Sequence, residues 1–110
     1  MRIYKSKLYV IGIKGQKDNP EYPVDVWFDS LKSVASVLSK ENQYLLKVIS
    51  EKKPQYITEL ASLTGQAVSN VSRMLKTLGK YKLVEMQGKK TMLSPKVIHK
   101  NFLVVVNNEH

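Results

Sequence analysis

The sequence contains no cysteine. That excludes disulfides, zinc fingers and thiol catalysis together, and it fits a reducing compartment. Histidine is nearly as scarce. His99 has no acid or nucleophile near it in sequence and His110 is the last residue, so the two make neither a metal site nor a catalytic triad. Long apolar runs are missing too. The stretch Leu8–Ile13 is six residues, interrupted by Gly12, against the roughly 20 needed to cross a bilayer. It follows Arg2, Lys5 and Lys7 but has no small-residue cleavage site, so it is not read as a signal peptide. Gly12 and Gly15 precede Lys17 without the spacing or the Ser/Thr of a phosphate-binding loop. The aromatic residues are not interleaved with basic ones as a single-strand stacking platform requires. The expectation is a cytoplasmic protein that is not an enzyme, has no cofactor or metal, and does not engage a membrane.

Acids are the other shortage, and their placement is uneven. The net charge is +9. Residues 1–17 carry five Lys/Arg and no acid, whereas residues 18–31 carry Asp18, Glu21, Asp25 and Asp29 and no base. Residues 73–100 hold eight Lys/Arg against Glu85 alone. A segment of that density attracts a polyanion and speeds its capture. Asp25 and Asp29 stand four apart, but acids before and at a helix start favour the macrodipole, so they are read as helix-start residues.

What is present fits one α+β domain of 110 residues. Residues 1–14 alternate weakly and predict a strand, and residues 15–23 a turn-rich linker. Asp29 or Ser30 caps a first helix with Leu31, Val34, Ala35 and Leu38 at i, i+3, i+4 and i+7. Ser39 caps a second, carrying Leu45, Val48 and Ile49 on one face with Leu46 beside them, and Pro54 closes it. Tyr56 and Ile57 read as a short strand. Thr58 then caps a third helix over 59–64, broken by Gly65. A fourth runs from about Ala67 to Lys80 with Val71, Met74, Leu75 and Leu78 as one stripe. Leu83–Met86 and Lys90–Leu93 predict a hairpin turning at Gln87-Gly88-Lys89 and stopped by Ser94 and Pro95. The β-branched run 102–106 calls for burial.

Helix, helix, short strand, helix, turn, helix, hairpin is the layout of a winged helix. A helix-turn-helix needs a small residue where its helices cross, a residue tolerant of positive φ in the turn, and a branched apolar residue pointing back. Ala61, Gly65 and Val71 meet these needs, with Ile57, Leu60 and Met74 as further core positions. At about 100° per residue, Ser69, Arg73, Lys76 and Lys80 point away from Val71, flanked by Asn70, Ser72 and Thr77. All seven are polar and none is acidic, which suits the major groove. Arg73 is the leading base-reading candidate, because a guanidinium grips guanine O6 and N7 together. Ser69, Asn70 and Ser72 reach bases or phosphates, as does Thr58 at the neighbouring helix start, while Lys76, Thr77 and Lys80 lie further along toward the phosphates. Lys89 and Lys90 sit at the hairpin tip as a wing.

Residues 27–96 resemble the MarR-related winged helix-turn-helix regulators of archaea and bacteria. Trp27–Leu38, Ser39-Lys40-Glu41-Asn42, Ser69–Leu78 and Tyr81-Lys82-Leu83-Val84 carry the likeness. The turn residues Gln66-Ala67-Val68 are less basic than in that group, and residues 1–26 fall outside the shared pattern. Many members resemble antitoxins of the TumA kind, which implies autorepression of an operon and neutralisation of a small toxin by direct contact. The chain thus divides into a strand, arm and linker (1–26), the winged helix-turn-helix (27–96) and a terminal strand and tail (97–110). The expected function is a sequence-specific repressor that binds double-stranded DNA as a homodimer, paired through residues 31–38 and the terminal segments. A protein-interaction module or a non-specific architectural DNA binder with the same fold are the alternatives. The terminal segments pair on the domain's own sheet, exchange with a second subunit, or hold a partner.

Overall fold

Four helices and five strands are present among the residues that the computed structural model describes, which are 8–17, 19, 21–89 and 92–107. The architecture is α+β. Two compact units divide the chain, one of residues 36–98 and the other of the described residues up to 35 and from 99 onward.

The unit formed by the two ends is a three-stranded parallel sheet. Strand β1 (Tyr9–Ile13) lies between β2 (Val26–Phe28) and β5 (Phe102–Val104). The register sets Ile11 against Val26 on one side and against Val104 on the other. All five residues of β1 are buried, so the weak alternation read from sequence does not describe it. A central parallel strand is covered on both faces and reads as a continuous apolar run. The ends therefore pair with each other inside one chain, on a sheet separate from the hairpin.

Strand β2 has no counterpart in the sequence reading, being three residues long and held by β1 alone. Asp25 explains its position. Its Oδ2 accepts a hydrogen bond from the Val10 backbone at 2.8 Å, while the Asp25 amide donates to the Val10 carbonyl at 2.9 Å. Asp29 pairs with Lys14 at 2.9 Å. These acids stitch the strands and the following turn; neither lies in the first turn of α1 (Leu31–Val37). Gly12 is required by close approach, since a Cβ there would stand 2.7 Å from Val24 and 2.8 Å from the Trp27 ring. Tyr9 stacks on His99 at 3.9 Å between ring centroids.

Helix α1 starts in a reciprocal serine cap. The Ser33 amide donates to Ser30 Oγ and the Ser30 amide to Ser33 Oγ, both at 3.1 Å. Of the expected stripe Leu31, Val34, Ala35 and Leu38 only Val34 is buried, joined by Val37, and Leu31 is 54% exposed. Seven residues make barely two turns, too few for a stripe to be decided by periodicity.

The second unit holds the remaining helices and the hairpin. Helix α2 (Lys40–Lys52) begins where Ser39 accepts from the Asn42 amide at 3.2 Å and ends before Pro54, with Lys53 in the left-handed region at φ 48°. Leu45, Leu46, Val48 and Ile49 are buried, and the helix lies against α3 (Ile57–Thr64) and β4 (Met92–Val97). Tyr56 and Ile57 do not form a strand. Tyr56 is extended and Ile57 opens α3, two residues before the expected start, so Thr58 is not its cap. Glu59 explains the shift: within the first turn, its carboxylate accepts from the Gln55 amide at 3.3 Å.

Helix α4 (Val68–Lys80) packs on α3 and on β3 (Val84–Lys89) through buried Val71, Leu75 and Leu78. The hairpin differs from its sequence reading in register. Val84 faces Val97 and Lys89 faces Met92, so β3 runs through Gln87-Gly88-Lys89 and β4 runs on past Ser94-Pro95. Gly88 has φ 126° but sits within β3, opposite Leu93. Pro95 is tolerated because alternate amides of a strand point away from its partner, leaving places where the missing donor is not needed.

Candidate nucleic-acid interface

The geometry starts at the corner between α3 and α4. Gly65 takes φ 66° and ψ 28°, its amide donates to the Ser62 carbonyl at 3.3 Å, and the Gln66 amide donates to Ala61 at 3.0 Å. That is a left-handed helix end with two otherwise orphaned carbonyls satisfied. Glycine accepts this backbone without strain, and nothing stands near the position of its absent Cβ. Ala61 is 3% exposed and Val71 fully buried. The small residue and the branched one thus occupy the protected side of the corner.

The side of α4 away from Val71, Leu75 and Leu78 exposes Ser69, Ser72, Arg73, Lys76 and Lys80. Arg73 and Lys76 form no ion pair with any described residue. Lys80 lies over the Tyr81 ring, 5.5 Å from its centroid, which holds the ammonium near the end of the helix. Helix α4 has no acid in its first turn, and Ala67 offers no capping side chain. Its positive dipole end therefore has neither a carboxylate from its own first turn nor a side-chain cap, and the Asn70 amide donates to the Ala67 carbonyl at 3.1 Å.

Two of the sequence candidates are half-buried and hydrogen-bonded to residues one turn earlier in the chain. The Asn70 side-chain amide donates to Gln66 Oε1 and contacts the Met74 sulfur at 3.9 Å, so this residue braces the corner. Thr77 donates its hydroxyl to the Arg73 carbonyl at 3.3 Å and is half-buried. Thr58 is exposed in the first turn of α3. Lys89 is exposed at the far end of β3, in the last described pair of the hairpin, and Lys90 lies outside the described residues.

The hairpin register brings together residues that the sequence reading did not name as site residues. Gln55 and Tyr56 before α3, Gln87 and Gly88 on β3, and Ser94 and Lys96 on β4 line an open depression of about 420 Å³. Lys96 stands across the ladder from Glu85, the lone acid of residues 73–100. Glu85 also accepts from Gln87 Nε2 at 3.5 Å, so the one negative charge of this region sits on the hairpin and not on α4.

Fold and site define a small basic α+β protein with an exposed, acid-free helix beside a two-stranded hairpin. The family model HVO_A0114 matches residues 37–102, and the chain belongs to that family. The matched stretch runs from the last residue of α1 to the first of β5 and contains the whole corner and hairpin. No curated protein and no solved structure matches the chain. No helix among the described residues is long and apolar enough to cross a membrane.

Proposed function

We propose that the protein is a winged helix-turn-helix repressor that binds double-stranded DNA in a sequence-specific way. Helix α4 enters the major groove and the β3–β4 hairpin serves as the wing. The observation that carries this reading is the composition of one helix face. Ser69, Ser72, Arg73, Lys76 and Lys80 are exposed together with no carboxylate among them, opposite a buried stripe that ties α4 to α3. Thirteen residues span about 20 Å at 1.5 Å each. The groove they would occupy is about 12 Å wide and displays acceptors that Arg73 can grip in pairs. The likeness of Ser69–Leu78 to MarR-related regulators favours the same function, and the antitoxins among them point to autorepression.

Selection from a random duplex library tests it. Enrichment of one motif supports a sequence-specific regulator. Binding without enrichment supports an architectural DNA binder, and no retention at low salt supports a protein-interaction module.

A further inference from the structure

Helix α4 exposes one large apolar side chain, Val68, which is 45% accessible at the first position of the helix. At about 100° per residue, Val68 stands about 20° from Leu75 around the helix axis. Leu75 is 4% exposed. The angular position that is covered at residue 75 is therefore open at residue 68. On its other side Val68 lies about 40° from exposed Ser72, so it borders the acid-free face directly. Helix side chains tilt toward the N-terminus, which carries Val68 ahead of the buried stripe.

Helix stability does not favour valine in this place. An exposed helix start favours a hydroxyl or carboxylate cap, and a β-branched residue lowers helix propensity. Here Ala67 stands at the cap position without a side-chain hydrogen bond, and Val68 follows it. Gln66 and Asn70 are half-buried and bonded to each other through their side chains. Ala67, Val68 and Ser69 are thus the exposed residues at the leading end of the helix.

A helix that enters the major groove reads base edges with its N-terminal residues. The methyl groups of valine neither donate nor accept a hydrogen bond. Of the groups that base pairs present in that groove, the apolar one is the C5 methyl of thymine. Contact between the two removes apolar surface of both from water. No other base offers Val68 an equivalent contact.

We infer that Val68 is a specificity-determining residue that selects thymine, through its C5 methyl, at the base step beneath the first turn of α4. The inference rests on the DNA-binding reading and adds to it a base contact distinct from the guanine grip of Arg73.

Deoxyuridine differs from thymidine by this methyl alone, so base replacement removes the contact without altering any hydrogen-bonding group. Each thymine of the duplex selected by the protein is replaced in turn by deoxyuridine, and the affinities are compared. The wild type should bind one of these duplexes about 4-fold more weakly, with the other replacements having little effect. Val68→Ser should bind that duplex and its thymine parent alike, whereas Lys89→Ala should keep the full difference. A wild type that binds its selected site but is indifferent to every replacement would overturn the inference and leave the DNA-binding reading standing. A folded Val68→Ser variant that keeps the difference would do the same. A wild type that selects no site, or binds no duplex at low salt, would overturn both.

Discussion

The Gln66 amide donates to the Ala61 carbonyl at 3.0 Å, across a glycine in the left-handed region. This bond ends α3 and sets the backbone from which α4 starts. A side chain at position 65 would meet open space, so the cost of one is conformational. Gly65→Ala should lower stability by about 1–2 kcal/mol, and Gly65→Asn by less, since asparagine tolerates this region. Denaturant midpoints at unchanged m-value would measure both.

Asp25 fastens β1 to β2 through the Val10 amide at 2.8 Å. Asp25→Ala leaves that amide without a side-chain acceptor in a partly buried place. A loss of about 1–3 kcal/mol is expected. Faster hydrogen exchange at Val10 would show that the loss begins at this bond.

Tyr9 gives a pH dependence. Burial, and secondarily the Asp25 carboxylate, raise its pKa above the ordinary 10.0. The unfolded chain then releases the phenolic proton at a lower pH than the folded one. The stability gained from the neutral ring is present in full below about pH 10 and is lost as pH rises through the folded value. Tyr9→Phe should therefore lose less stability than wild type as the pH rises above about 10. Equal slopes for the two proteins in alkaline denaturation would contradict this.

Arg73 and Lys89 should separate base reading from backbone gripping. Arg73→Ala should relax preference at one base position by about 1–3 kcal/mol. Lys89→Ala should weaken all duplexes alike and reduce the salt slope by about 1. Competition between the selected site and its single-base variants reads the first, and binding across a salt series reads the second.

Local signals account for most of what was legible in the sequence. Ser39, Pro54 and Gly65 act within one helical turn, so their chemistry marks ends that the structure keeps. The exposed face of α4 follows from the buried stripe on its other side. Misreadings arose where a residue type admits two uses. Gly88 has the positive φ of a turn residue but lies within a strand, and Pro95 occupies a strand instead of stopping it. Thr58 is a good capping residue placed two positions too late, behind a Glu59 that reaches back to Gln55. The pairing of β1 with β5 joins residues about ninety positions apart, which no local periodicity encodes.

Affinity for duplex DNA across a salt series, with wild type beside Arg73→Glu/Lys76→Glu, tests the DNA-binding reading most directly. With about six phosphates neutralised, log K should fall against log salt with a slope near −5. The double variant should lose nearly all affinity while keeping its fold by circular dichroism. A wild type that binds no duplex at low salt, or a folded double variant that binds as tightly as wild type, would contradict it.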